Sequence, residues 1–393
     1  MAIRALTLAR GPQLDHADQG TRPVANAPVL CPQGQKTAEL SMRQYLLAEI
    51  YSNLRRDVRI GDISAASGWL NAALGLTLAP PPAAAILHAL QHGMNGDLTF
   101  RGFKPAELAM IAGNLKGVVK LEDIPLPNAK RFVARHGQHY NIWQSEIFVK
   151  DYLLLRSKSP DGSGEPLVNL YVGRDDRALA LQQLELSDRE NAAACGALLG
   201  FPPCCTKAFA ADFARSRQDQ DTLNDDACAR VLATASLDKP GHPALNPLSH
   251  LELIGFYPCS LRCRAATAAA RRTARALAVE RPALVPELKL RLQRAVLFWR
   301  MPFFVTFDRS SLIDGLLCYH GARVNAFADP IVRRVQALFA AQILPKLALG
   351  DALRLGPGAI EIYANRVKVT EIETLSERPP VLSRWGQWPK NFF

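Results

Sequence analysis

The sequence predicts an α+β protein, predominantly helical, in which a helical cysteine domain is flanked by a helical N-terminal region and by segments containing β-hairpins. Three observations carry this. Apolar residues recur at i+4 spacing near the N-terminal end, as in Leu46, Ile50 and Leu54. Residues 140–175 and the stretch Ala359–Glu373 turn to β-branched and aromatic residues around turn formers. Between them a Gly-Phe-x-Pro-Cys motif occurs twice, each time where one helical pattern stops and another begins.

Taken in order, residues 1–38 are rich in Pro, Gly, Gln and Asp and read as an extended N-terminal arm. Residues 39–135 read as a helical N-terminal domain. There "PPPAAAILHALQHG" opens on prolines suited to a first turn and ends at Gly93. His88 and His92 share a face of that helix, but no HExxH pattern accompanies them, so they read as structural. Residues 136–298 read as a β-hairpin, with Asp161 to Gly164 in its loop, followed by a helical, cysteine-rich metal domain. Residues 299–393 read as an α/β C-terminal domain: a strand in "MPFFVTFD", a helix from Ile331 to Leu349, and a hairpin turning at Ala364-Asn365. The aromatic and basic end, "RWGQWPKNFF", either docks on a core or contacts a partner.

The chain has 393 residues, 48% of them hydrophobic and 21% charged, which is ordinary for a globular protein with a substantial core. The first residues lack an apolar h-region, and no run of about 18 apolar residues occurs. The expectation is a cytoplasmic protein with no membrane partner. The net charge is +11, and 34 of the 47 basic residues are arginine. Residues 262–300 concentrate ten basic residues against only Glu280 and Glu287. Such a local excess makes a positive field and points to an anionic partner: a small molecule, a peptide, or nucleic acid held through 262–300. Oligomeric state is not legible.

Eight cysteines are too few for a disulfide scaffold, and five of them (Cys195, Cys204, Cys205, Cys259 and Cys263) fall within 69 residues. Cys31, Cys228 and Cys318 are scattered and read as core residues. In the first copy of the motif, Ser187 to Glu190 reads as a capping box opening a helix that stops at Gly200. Pro203 then opens a second helix with Cys204 and Cys205 in its first turn. In the second copy Gly255 and Phe256 make the corner, Pro258 opens the helix, and Cys259 and Cys263 sit at i and i+4, roughly 5–6 Å apart at Cβ. Helix N-termini favour thiolates and bound anions. Two such ends converging would gather soft ligands around one centre.

The first expectation for that centre is a 4Fe-4S iron–sulfur cluster held by Cys259 and Cys263 together with one or both of Cys204 and Cys205, with Cys195 and His250 in reserve. A tetrahedral zinc site is the alternative, although the chain has no CxxC. A metal-free pair of redox or nucleophilic thiols is the third. Radical S-adenosylmethionine chemistry is excluded, because Ala266 stands where a third cysteine would be needed.

Gly200, Phe201, Pro202, Cys204, Cys205 and Phe209, followed by Pro258, Cys259, Ser260 and Cys263, make the pattern G-[FY]-P-x-C-C-x-x-x-F … P-C-S-x-x-C. It resembles a little-studied bacterial and archaeal group of cysteine-rich domains of unknown function. The resemblance covers about residues 170–275 and implies no activity.

The leading expectation is thus a metalloenzyme with a cysteine-ligated iron–sulfur cluster acting on an anionic small molecule or peptide. Cys205, His250 and His320 are its candidate catalytic groups. Arg264, Arg271 and Arg275, on one stripe after Cys259, and Arg323 are its candidate substrate contacts. The alternatives are a zinc-stabilised nucleic-acid-binding protein and a thiol-based oxidoreductase or transferase.

Overall fold

The computed structural model describes residues 49–95, 105–147, 150–151, 156–157, 167–187, 191–216, 223–235, 237–248, 253–325, 330–375 and 380–393. The expected arm lies outside them. The chain is α+β. It begins with helices α1 (residues 49–60), α2 (Ile63–Leu74) and α3 (Ala83–His88) and a short strand β1 (Met94–Asn95). Asp62 caps α2 by accepting from the Ala65 N–H at 2.9 Å, and Gly75 ends it in the left-handed region. Next come α4 (Pro105–Ala112), β2 (Val118–Pro125), α5 (Leu126–His136), β3 (Asn141–Ile147), β4 (Lys150–Asp151), β5 (Arg156–Ser157) and β6 (Leu167–Gly173).

The cysteine region supplies α6 (Arg177–Ser187), α7 (Ala192–Leu198), α8 (Pro203–Ser216), α9 (Leu223–Ala233), α10 (Arg264–Glu280) and α11 (Val285–Leu292). The C-terminal part adds β7 (Ala295–Arg300), β8 (Phe303–Asp308), β9 (Ser311–Ile313), β10 (Leu316–Cys318), β11 (Gly321–Asn325), α12 (Pro330–Leu347), β12 (Ala352–Gly356), β13 (Ala359–Ala364), β14 (Val367–Glu373) and β15 (Val381–Ser383).

One five-stranded sheet runs β1-β11-β8-β7-β15, a second runs β14-β13-β12-β10-β9, and a third has the order β2-β6-β3. The expected hairpin of residues 140–175 is present: β3 pairs antiparallel with β6 from Asn141 opposite Gly173 to Ile147 opposite Leu167. Its Asp161–Gly164 loop lies outside the described residues. The terminal hairpin β13–β14 is also present, but Asn365 and Arg366, both at positive φ, make its turn, one residue later than expected.

The sheets reach further than those hairpins. Residues 118–125 and 295–300 are strands where helix was expected. In β7 the run Ala295 to Phe298 is buried throughout. A strand covered on both faces loses the alternation that would announce it.

Residues far apart in sequence share interiors. Tyr51, Leu54 and Leu70 pack with Phe303, Phe339, Leu353 and Ile362. A second core joins α9, α10, β7 and the C-terminal residues Trp385 and Phe392, and Cys205 and Cys263 lie in it. The cysteines therefore stand on a packed wall.

Candidate metal centre

The first motif copy folds nearly as its residues dictate. Gly200 sits at φ +69°, and the Phe201 N–H donates to the Gly196 carbonyl at 2.8 Å, which closes α7. Pro203 opens α8, so Cys204 and Cys205 fall in its first turn. The expected capping box is corrected: Ser187 closes α6, and Asn191 is the cap position of α7.

The second copy differs from expectation. Pro258 and Cys259 lie in an irregular segment, and the helix starts only at Arg264. Cys263 is its N-cap, with Sγ accepting from the Ala266 N–H at 3.4 Å. Cys259 and Cys263 are thus not one turn apart on a helix. Pro258 lies six residues before Arg264, the first helical position, too early for a first-turn proline, and a thiol can take the cap place usually held by a hydroxyl or carboxylate. Equivalent residues of the two copies meet: the Phe201 and Phe256 rings lie 4.7 Å apart between centroids. Phe209 stacks on Tyr257 at 6.4 Å.

This contact brings four thiols together. The Sγ atoms of Cys204, Cys205, Cys259 and Cys263 all lie within 4.8 Å of one another and form a group that can hold a metal ion. Cys204 to Cys205 is 3.9 Å, Cys204 to Cys263 is 3.7 Å and Cys205 to Cys263 is 3.8 Å. Adjacent helical residues usually diverge, yet both Cys204 and Cys205 reach the centre, because the first turn of α8 meets it end-on.

Burial works against ionisation of two of these thiols. Burial raises the Cys205 thiol well above its ordinary value, despite the Cys259 N–H that donates to its sulfur at 3.4 Å, with Cys263 adding to the rise. Burial and then Cys263 push Cys259 up to about 11. Cys263 falls below the ordinary value: burial opposes this, but the Ala266 N–H and the three neighbouring thiols outweigh it. Helix N-termini were expected to favour thiolates generally. Burial and crowding overcome that for Cys205 and Cys259, whose thiolates a bound cation would favour.

Two residues that hold the site escaped the sequence reading. Arg230 of α9 pairs with buried Asp212 of α8 at 2.7 Å and donates to the Cys259 carbonyl at 3.0 Å. It ties α8 and α9 to the irregular segment. Asp212 lies seven residues after Cys205, on the same face of α8, and that spacing was the available signal. Thr234 adds a strut, its hydroxyl accepting from the Leu261 N–H at 2.8 Å.

The remaining candidates are placed elsewhere. Cys195 lies outside the thiol group and packs on α7 beside Tyr171, Leu181 and Leu199. Burial raises its thiol. Cys228 is buried in the second core. His250 lies outside the described residues. His320 precedes β11, its backbone N–H bonded to the Asp308 carbonyl, and Arg323 pairs with the Asp308 carboxylate at 3.0 Å. Neither belongs to the thiol group. Arg264, Arg271 and Arg275 are exposed on α10, whose first turn abuts the thiols, while Ala266, Ala270, Ala274 and Leu277 face the core. Among the described residues no helix is long and apolar enough to cross a membrane.

Comparison with known proteins returned no match: no family model, no curated protein and no solved structure is similar to this chain.

Proposed function

We propose that the four thiolates hold a single zinc ion, and that the protein so stabilised binds nucleic acid through the basic face of α10. The spacing of the sulfurs carries the first half. Four thiolates about 2.3 Å from one ion at tetrahedral corners stand about 3.8 Å apart. The three pairs among Cys204, Cys205 and Cys263 stand 3.7–3.9 Å apart, and all four sulfurs lie within 4.8 Å of one another, which agrees with this. In a 4Fe-4S cluster each cysteine takes a different iron, which spreads the sulfurs apart, so the spacing supports zinc over the cluster. Four protein thiolates also fill all four positions. A closed site of that kind is structural, which favours a binding protein over a metalloenzyme.

The arginines support the second half. Arg264, Arg271 and Arg275 have no carboxylate partner among the described residues, whereas Arg291, Arg294 and Arg323 are paired with Glu287 or Asp308. Charges left uncompensated along one exposed stripe suit a row of phosphates.

The test is the salt dependence of binding to a fluorescent single-stranded oligonucleotide, using the zinc-loaded chain. Log affinity should fall linearly with log salt, and Arg275→Gln should reduce the slope by about 0.7, the share of one phosphate contact. Affinity that is absent, or indifferent to salt and to Arg275, would overturn the reading.

A further inference from the structure

Beside the metal centre, a cleft of about 510 Å³ opens between the first two turns of α10 and residues 240–243 and 386–387. Arg262, Arg264 and Arg271 line it, and no acidic residue does. Arg264 has no partner among the described residues. Arg271 rests over the Phe392 ring at 5.4 Å, and Arg262 reaches only the Thr234 carbonyl, at 3.4 Å. Three positive charges facing one cavity repel one another, and a bound anion relieves that repulsion.

The walls are built in place. The Gly241 N–H donates to the Arg384 carbonyl at 3.0 Å, and the Gly386 N–H to the Gly241 carbonyl at 2.8 Å. The His242 N–H donates to the Leu261 carbonyl at 2.7 Å. A side chain at Gly241 would strike Leu261 and Trp385, each at 2.9 Å, so glycine is required where the segments cross. His242 adds an unmet demand. Its Nδ1 accepts from the Ala244 N–H at 3.2 Å, which places the neutral ring's proton on Nε2, and Nε2 is buried with no partner.

We infer that this cleft is a phosphate-binding subsite, in which Arg264 and Arg271 grip a phosphoryl group and Arg262 guards the mouth. Guanidinium forks match phosphate oxygens in pairs, and a phosphomonoester carries the double charge that three arginines can balance. The cavity exceeds what a lone phosphate fills and is of the size that takes a nucleotide. The ligand is therefore a nucleoside monophosphate, free or as the phosphorylated end of a nucleic acid strand. The inference rests on the reading above only in that the metal holds Cys263, and with it the start of α10, in place.

Calorimetry on the zinc-loaded full chain tests it with adenosine 5′-monophosphate against adenosine, and with a 5′-phosphorylated oligonucleotide against its 5′-hydroxyl twin. The phosphorylated member should bind more tightly in at least one pair. Arg264→Gln and Arg271→Gln should each weaken it roughly tenfold or more, as loss of a charged hydrogen bond does. Arg264 has no side-chain hydrogen bond or ion pair among the described residues, so Arg264→Gln should melt like the parent, and an effect seen without a change in melting cannot be assigned to unfolding. Preference in the nucleotide pair identifies a free ligand, and preference in the oligonucleotide pair alone identifies a strand end. Equal binding of both members in both pairs overturns the subsite, even if salt-dependent binding to nucleic acid persists. Tight nucleotide binding without any oligonucleotide binding keeps the subsite and removes the nucleic-acid reading instead.

Discussion

The sulfur of Cys204 lies 3.7 Å from that of Cys263, although 59 residues separate them. Neither thiol owes this to its own helix. The contact exists because the corner at Phe201 packs on the corner at Phe256, so the duplicated motif works as a clamp whose two jaws each deliver sulfur.

If that clamp holds one ion, Cys204→Ala, Cys205→Ala, Cys259→Ala and Cys263→Ala should each lose tightly bound zinc. Cys195→Ala and Cys228→Ala should keep it. Metal content per chain after gel filtration measures this, and zinc retained in any of the first four would remove that residue from the ligand set.

Cys263 has a second task as the N-cap of α10. With zinc stripped by a chelator, Cys263→Ser should be more stable than Cys263→Ala by about 1 kcal/mol, because a serine hydroxyl accepts the Ala266 N–H and a methyl group cannot. Urea unfolding of the two stripped variants gives the difference, and equal midpoints would mean that the cap contributes nothing.

Arg230 should matter to the metal without touching it. Arg230→Met removes the ion-pair partner of buried Asp212, at a cost of about 3 kcal/mol. It also frees the Cys259 carbonyl, which should weaken zinc roughly 10–100-fold, as loss of an outer-shell contact does. Asp212→Leu added to Arg230→Met should restore stability but not affinity. Competition with a chromogenic chelator separates the two, and recovery of both together would mean that Arg230 serves only Asp212.

The two motif glycines are needed for different reasons. Gly200→Ala forces a side chain into the left-handed region, where nothing else lies within 4 Å, and should cost about 1–2 kcal/mol. Gly255 has no positive φ. A Cβ there would lie 2.8 Å from Glu107 Oε1, whose partner oxygen holds Lys116 at 2.6 Å. Gly255→Ala combined with Glu107→Ala should therefore be less than additive, while Gly200→Ala with Glu107→Ala should simply add.

Tyr171 supplies a probe outside the four-thiol group. Burial first, and then Glu185, push its phenol up to about 12, against an ordinary value of 10.0. The folded state binds this proton more tightly than the unfolded state does. The stabilisation is complete below pH 10 and is lost as pH rises toward about 12. Ultraviolet titration should show one late-ionising phenol fewer in Tyr171→Phe than in the parent, while buried Tyr319, also pushed up by burial, ionises late in both.

The first jaw was legible because its signals are local: a glycine that can turn left-handed, a proline that suits a first turn, two cysteines directly after. The second jaw was misread because Pro258 looks like a helix start, while the true start depends on the sulfur of Cys263 filling the cap. β7 was hidden because burial on both faces erased its alternation. Arg230 and Asp212 could not be paired in advance, since they meet only when α8 and α9 pack. The metal type was read from ligand softness, which iron–sulfur clusters and zinc share. What separates them is sulfur spacing, and only the folded chain has one.

X-ray absorption at the metal edge of the anaerobically purified chain tests that spacing most directly. A single ion predicts zinc with four sulfurs at about 2.3 Å, no metal neighbour and no acid-labile sulfide. Iron with a short metal-to-metal distance and sulfide in equal amount would contradict it.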